Sequence, residues 1–341
     1  MWFDESRLDD ERALAGADAR LRALAESGAR VRREAQAAAE AVDGRVREAR
    51  ERPRPRAVVA AGAEARLLRA VLEAGCPVPL VAWSAPGLPG WTGSLDLVVV
   101  LAPGGDDVAA AGTVAEAVRR GADVLVACPP ASLVADHAAG RDVVLLPTTS
   151  GDPLAAAVVA LDFLAGAGLG RSTDPEVVAL ALDDVAVRCS PYRDIAGNPA
   201  KEAAIGLADA APLVWGGTPL AARAARRVAE ALRSGSGRAA LAGDAEQLLP
   251  VLEAARPRDV FADPFDGDGG ASRPVLLVLD DGSDDPRVRE QGGHLRAVAA
   301  AHDVRVVELR HDDGGEVARY ASLLLQGWYA AAYLGLGLVP A

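Results

Sequence analysis

"LDLVVVLAPGGDDVAAAGTVAEAVRRGADVLVACPP", residues Leu95–Pro130, reads as strand, glycine turn, helix and strand. The two apolar runs are short, and the stretch between them has the spacing of a helix. In a doubly wound α/β protein the turn after such a strand is where a ligand binds. Here that turn offers Gly104 and Gly105, followed at once by Asp106 and Asp107. Asp106 reads as the N-cap of the helix. The protein's own negative charge therefore stands where a free helix N-terminus would attract an anion.

The same alternation extends to both sides. Strands are expected at Ala57–Ala61, Val78–Trp83, Leu95–Leu101, Asp123–Ala127 and Asp142–Leu146, with helices such as Glu64–Ala74 and Asp107–Arg120 between them. That order predicts a parallel sheet covered on both faces. Two further helices, Pro153–Ala165 and Pro175–Arg188, lead into a second round. Its strands are expected at Pro212–Trp215, Arg238–Leu241, Asp259–Ala262, Val275–Leu279 and Val304–Leu309, and its helices at Pro219–Leu232, Ala245–Ala255 and Pro286–Ala301. The fold class is thus α/β, two tandem three-layer sandwiches. Residues 5–50 are rich in Ala, Arg and Glu, with Leu14, Leu21, Leu24 and Val31 at helical spacing. "RPRPR", Arg52–Arg56, ends that stretch, because alternate prolines favour extended backbone. The expected division is a helical arm at 1–52, a first domain at 56–170 and a second at 171–341.

The chain has 341 residues, half of them hydrophobic, and a net charge of −12. That acidity disfavours a nucleic-acid surface, which needs clustered positive charge. One lysine, Lys201, stands among 36 basic residues. Cys76, Cys128 and Cys189 are far apart and odd in number, so they suggest neither a disulfide framework nor a zinc site. A cytoplasmic location is the expectation, since "MWFDESRLDDER" lacks the basic and apolar regions of a signal peptide. "YASLLLQGWYAAAYLGLGLVPA", Tyr320–Ala341, has no charged residue but is diluted by Gln326, Ser322 and glycines, and reads as a buried helix rather than a membrane span.

"GNPAKEAAIGLADAAPLVWGGTPLAARAARR", Gly197–Arg227, carries a resemblance. Asn198 suits an N-cap, Pro199 suits the first helical position, and Glu202 falls in the first turn, where a carboxylate favours the macrodipole. The segment resembles the Asn-Pro-Ala-Lys-Glu helix start of the bifunctional phosphoglucose/phosphomannose isomerases, which are built from two SIS domains. "RPVLLVLDDGSDDPRVRE" and the apolar terminal stretch are similar to later elements of that family, and the likeness spans most of residues 56–341. It implies a sugar-phosphate ligand, a homodimer and no cofactor. It would also place a hydroxyl-rich phosphate loop at "APGGDDV", where this chain has Asp106 and Asp107. Leu154, in "GDPLAAA", stands where the family's enediolate-stabilising arginine belongs. Ser234 falls near the position of its basic glutamate, and "RDVFADPFDGD" lacks its ring-opening histidine.

Aldose–ketose isomerisation needs a base to move a proton between C1 and C2 and a group to polarise the carbonyl. None of the family's three actors carries over. The remaining ligand-binding candidates are Gly62, which ends the first strand, Gly104 and Gly105, and the hydroxyl-rich turn "LPTTSGDP" with Thr148, Thr149 and Ser150. The catalytic candidates are His311, beside Asp312 and Asp313, and Glu202. The four histidines lack metal spacing, and "LDDGSDD" and "FADPFDGDGG" lack the ligand order of a calcium loop. The favoured reading is a sugar-phosphate-binding relative that has lost the catalytic groups. The alternatives are an active isomerase with substituted residues, and an interaction scaffold without a ligand.

Overall fold

The computed structural model describes residues 2–62, 64–255 and 273–339. The expected strand Asp259–Ala262 and the acidic run "FADPFDGDGG" lie outside the described residues. The chain opens with β1 (Trp2–Phe3), a 3-10 turn, α1 (Glu11–Ala25) and α2 (Ser27–Glu51). There follow β2 (Val58–Ala61), α3 (Ala65–Leu72), β3 (Leu80–Trp83), β4 (Leu97–Leu101), α4 (Val108–Arg119), β5 (Asp123–Cys128), α5 (Leu133–His137), β6 (Val143–Pro147) and α6 (Pro153–Gly166). Next come α7 (Pro175–Arg188), α8 (Pro199–Leu207), β7 (Ala210–Gly216), α9 (Pro219–Ser236), β8 (Leu241–Ala242) and α10 (Ala245–Glu253). The described chain closes with β9 (Arg273–Asp280), α11 (Pro286–Ala301), β10 (Val306–Arg310), α12 (Glu316–Gly337) and β11 (Leu338–Val339).

Residues fall into two compact units, Ser27–Leu180 with Gly315–Val317, and Met1–Glu26 with Ala181–Gly314 and Ala318–Ala341. The first holds a five-stranded, wholly parallel sheet in the order β3-β2-β4-β5-β6. Its central strands are valine-rich and buried on both faces, as parallel strands sandwiched by helices must be. The strand order reverses between β2 and β4, so the crevice at the C-terminal ends of this sheet opens beside Gly62 and Gly104. Almost every residue of α6 is buried, from Leu154 to Leu164. It packs against α2 so closely that a Cβ on Gly166 would come within 2.9 Å of Val46.

The second unit holds β10-β9-β7-β8, also all parallel among the described residues, and a two-residue antiparallel pairing of β1 with β11. The arm helices therefore divide, α1 with this unit and α2 with the other. Helix α12 is buried through most of its length, and a Cβ on its Gly327 would collide with Val228 of α9. Among the described residues no helix is long and apolar enough to cross a membrane.

The Asn-Pro-Ala-Lys-Glu segment is a structural knot. The Asn198 side chain accepts from the N–H groups of Ala200 and Lys201, both at 3.1 Å, and donates to Ser190 O at 2.9 Å. Lys201 is 0% exposed, and its ammonium donates to Asp9 (2.6 Å), Arg193 O (2.8 Å) and Pro191 O (3.0 Å). The ammonium also lies 5.6 Å from the ring centroid of Tyr333, whose hydroxyl donates to Cys189 O at 2.7 Å. Lys201→Met would leave buried carbonyls without a donor, and should lower the unfolding free energy by about 2–4 kcal/mol in urea titration. Glu202→Ala, on the exposed neighbour, should cost no more than about 1 kcal/mol.

Candidate functional site

In the five-stranded unit the candidate ligand loops meet at the C-terminal edge of the sheet. Gly62 follows β2 with φ +92°, and its N–H donates to Trp83 O at 3.0 Å. After β4, Gly105 has φ +78° and faces the turn after β5, where an added Cβ would lie 2.5 Å from Ser132 Cβ and 2.9 Å from Pro129. Glycine is thus required at this position for packing between two loops. The helix cap is Asp107 rather than Asp106, because Asp107 accepts from Ala109 N (2.8 Å) and Ala110 N (3.2 Å). The shift is one residue, and the N-terminus of α4 is still occupied by a carboxylate of the chain.

After β6, Thr148 is buried and its hydroxyl donates to Pro103 O at 3.1 Å, which joins the loop containing Thr148, Thr149 and Ser150 to that of Gly104. The backbone N–H groups that follow already have an acceptor. Glu34 of α2 takes Thr149 N at 2.8 Å and Ser150 N at 2.5 Å, and the residue is 1% exposed. Behind it, Asp152 caps α6 through Leu154 N (2.8 Å) and pairs with Arg30 at 2.7 Å. Sequence reasoning missed Glu34. Its signal lay in the arm, where the buried positions Ser27, Val31, Glu34 and Ala38 follow helical spacing and put a carboxylate on the face turned inward.

In the four-stranded unit a cavity of about 420 Å³ opens at the C-terminal ends of β7, β9 and β10. Asp280, Asp281, Asp284 and Asp312 line it, with Arg289, Arg296 and Arg310. The N-terminus of α9 is also self-capped. Thr218 accepts from Ala221 N at 3.1 Å while its hydroxyl donates to Asp281 at 2.5 Å. A dianion entering here would meet carboxylates at the position where a bare helix end would welcome it.

His311 lies just past β10 and is 8% exposed. Its backbone N–H donates to Asp280 O at 3.0 Å, and its Nδ1 is 3.4 Å from the Arg188 guanidinium. Nε2 is buried without a partner among the described residues. Burial first, and the Arg188 charge second, push its pKa down, against the opposing pull of Asp184, Asp313 and Asp312. Glu202 is exposed in the first turn of α8, and no hydrogen bond or ion pair joins it to His311 among the described residues. Burial also raises the Cys128 thiol and pushes that of Cys189 up to about 12, so neither is a ready thiolate. Among the described residues no cluster of three His, Cys, Asp or Glu side chains could hold a metal.

Residues 196–338 match the family model of the bacterial phospho-glucose isomerase C-terminal SIS domain. That segment of the chain is similar to a SIS domain of the bacterial phospho-glucose isomerases. The resemblance drawn from Asn198–Glu202 and the expected α/β class with parallel sheets are thereby borne out. Solved structures share the fold at low identity. The C-terminal domain of glucosamine-fructose-6-phosphate aminotransferase from Francisella tularensis matches with a TM-score of 0.65 at 12% identity, over 92% of this chain and 94% of that one. Tagatose-6-phosphate ketose/aldose isomerase from Escherichia coli gives 0.61 at 14%, over 92% of each. A glucose-6-phosphate isomerase like protein from Thermus thermophilus gives 0.51 at 16%, over 89% and 91%. No curated protein matches by sequence.

The buried, neutral His311 ties stability to pH. Its folded pKa lies below the unfolded value of about 6.5, so the unfolded chain binds the extra proton first and stability falls as pH drops through that value. Urea titrations from pH 7.5 to 5 should show this loss in the wild type, and His311→Gln should flatten it.

Proposed function

We propose that this SIS-domain protein has lost isomerase chemistry and that a phosphosugar reaches its 148–150 loop only in competition with Glu34. The observation that supports this is the carboxylate of Glu34 on the N–H groups of Thr149 and Ser150. Those donors, next to the N-terminus of α6, are the ones an open loop would turn toward a phosphate. A carboxylate held by two backbone N–H groups in a buried site is stable there, and the incoming anion must displace it or be repelled by it. Leu154, in the first turn of α6, supplies no charge to an enediolate, and the side-chain contact of the His311 ring is the Arg188 guanidinium. The ligand class follows from the names of the structural neighbours, which act on or resemble enzymes of 6-phosphorylated sugars.

Proton NMR in D2O with glucose, mannose and fructose 6-phosphates tests the reading. The wild type should leave the C1 and C2 protons in place and broaden the sugar lines little. Glu34→Ala should bind at least one of these phosphosugars more tightly, by about tenfold, since a freed pair of N–H donors is of the order of a charge-assisted hydrogen bond. Glu34→Gln, which keeps the volume and one acceptor, serves as the fold-preserving check. Proton washout in the wild type would overturn the loss of chemistry. Equal, absent binding in all three proteins would overturn the loop as a ligand site and leave a scaffold.

A further inference from the structure

A second cavity, of about 380 Å³, lies at the opposite edge of the five-stranded sheet, where β4, β5 and β6 begin. It is remote from the loops after β2, β4 and β6, and it takes its walls from the C-terminal turns of α2 and α6 and from the Arg52–Pro55 segment. Its floor is aliphatic: Leu97, Leu125, Val143, Val144 and Leu169, with Phe163 as the one aromatic ring. Its rim carries five arginines, Arg45, Arg50, Arg52, Arg54 and Arg141, against three acids, Glu48, Asp123 and Asp142. On a chain of net charge −12, a recess with a surplus of two positive charges is a local reversal of sign.

Three of those arginines are committed to the fold. Arg52 bridges Asp123 (2.9 Å) and Asp142 (3.1 Å), tying the proline segment to the starts of β5 and β6. Arg45 pairs with Glu48 at 2.8 Å on the same helix. Arg50 donates to Gly166 O, one of the last carbonyls of α6. Arg54 and Arg141 are exposed, and neither has an ion-pair partner among the described residues. Both open onto the cavity. Burial, with the nearby Asp142 charge, raises the Asp123 carboxyl against the opposing pull of Arg52.

We propose that this cavity binds an aliphatic carboxylate, its chain on the leucine and valine floor and its head group against Arg54 and Arg141. The volume is that of an ordinary small-molecule site, mostly apolar with a few placed polar groups. An aliphatic floor with a single ring favours an acyl chain over an aromatic ligand, which would look for stacking partners. The surplus of two positive charges attracts an anion, and the apolar floor asks that this anion carry an acyl chain, which a phosphate ion lacks. Guanidinium groups supply the paired donors that a carboxylate accepts. The site shares no residue with the loops after β2, β4 and β6, so it stands or falls apart from the reading of Glu34.

The test is calorimetry of the full chain with octanoate, octan-1-ol and octylammonium, which share a chain and differ in head group. Octanoate should saturate one site, octan-1-ol should bind about tenfold more weakly, and octylammonium should give no saturable heat. The double substitution Arg54→Ala with Arg141→Ala, at two exposed positions, should abolish the preference for octanoate over octan-1-ol. Ala49→Trp, on the half-buried wall from α2, should fill the cavity and block both. Equal affinity for the acid and the alcohol, a preference that survives loss of both arginines, binding that survives Ala49→Trp, or no octanoate heat at all would each overturn the proposal.

Discussion

A fully buried ammonium cannot be left without acceptors, and Lys201 organises the four-stranded unit around that constraint. Its three donors go to Asp9, Pro191 O and Arg193 O, and its charge faces the Tyr333 ring. The chain start, the turn after α7 and the terminal helix are therefore held at one point. Asn198 caps α8 and reaches back to Ser190 O, while Tyr333 reaches Cys189 O, so Asn198, Lys201 and Tyr333 each have a named partner. Without the lysine, the segment before α1 and the turn of residues 189–193 would lose the shared donor that orients them. Burial and hydrogen bonding account for Asn198 and Lys201 of the Asn-Pro-Ala-Lys-Glu signature in this chain.

A second regularity runs through both units. Helices that begin at the C-terminal edge of a parallel sheet present free N–H groups to any ligand in the crevice. At four places here those groups are claimed internally: by Asp107 on α4, Asp152 on α6, Thr218 with Asp281 on α9, and Glu34 on the turn before α6. Three of the four placements put a carboxylate directly on the helix end or the loop beside it. A phosphate would have to compete with groups that are covalently part of the fold and present at high effective concentration. The edge where β4, β5 and β6 begin has the opposite character, since Arg50 meets the C-terminal carbonyls of α6 there and Arg54 and Arg141 line the cavity beside it.

The alternation of strands and helices was legible because parallel strands buried on both faces must be short, apolar runs, and the helices between them must be amphipathic or, like α6, apolar but for one aspartate, Asp162. Leu97–Leu101, Asp123–Cys128 and Val143–Pro147 sit within a residue or two of their expected positions. The strand expected at Arg238–Leu241 is reduced to Leu241–Ala242, because only two residues pair with β7. The cap of α4 falls at Asp107 rather than Asp106, since either aspartate satisfies the local pattern and only backbone geometry chooses between them.

Sequence alone determined the α/β class, the tandem sheets and the SIS resemblance. All of these depend on local spacing or on residue identity at fixed offsets. Tertiary structure decided the rest. That Glu34 meets Thr149 and Ser150, more than a hundred positions away, that Lys201 meets Asp9 and Tyr333, and that Arg54 and Arg141 share one cavity are outcomes of how helices pack on sheets. Periodicity states which face of α2 turns inward, but it does not state what lies beneath that face. A buried carboxylate acquires its meaning from the N–H groups it finds there.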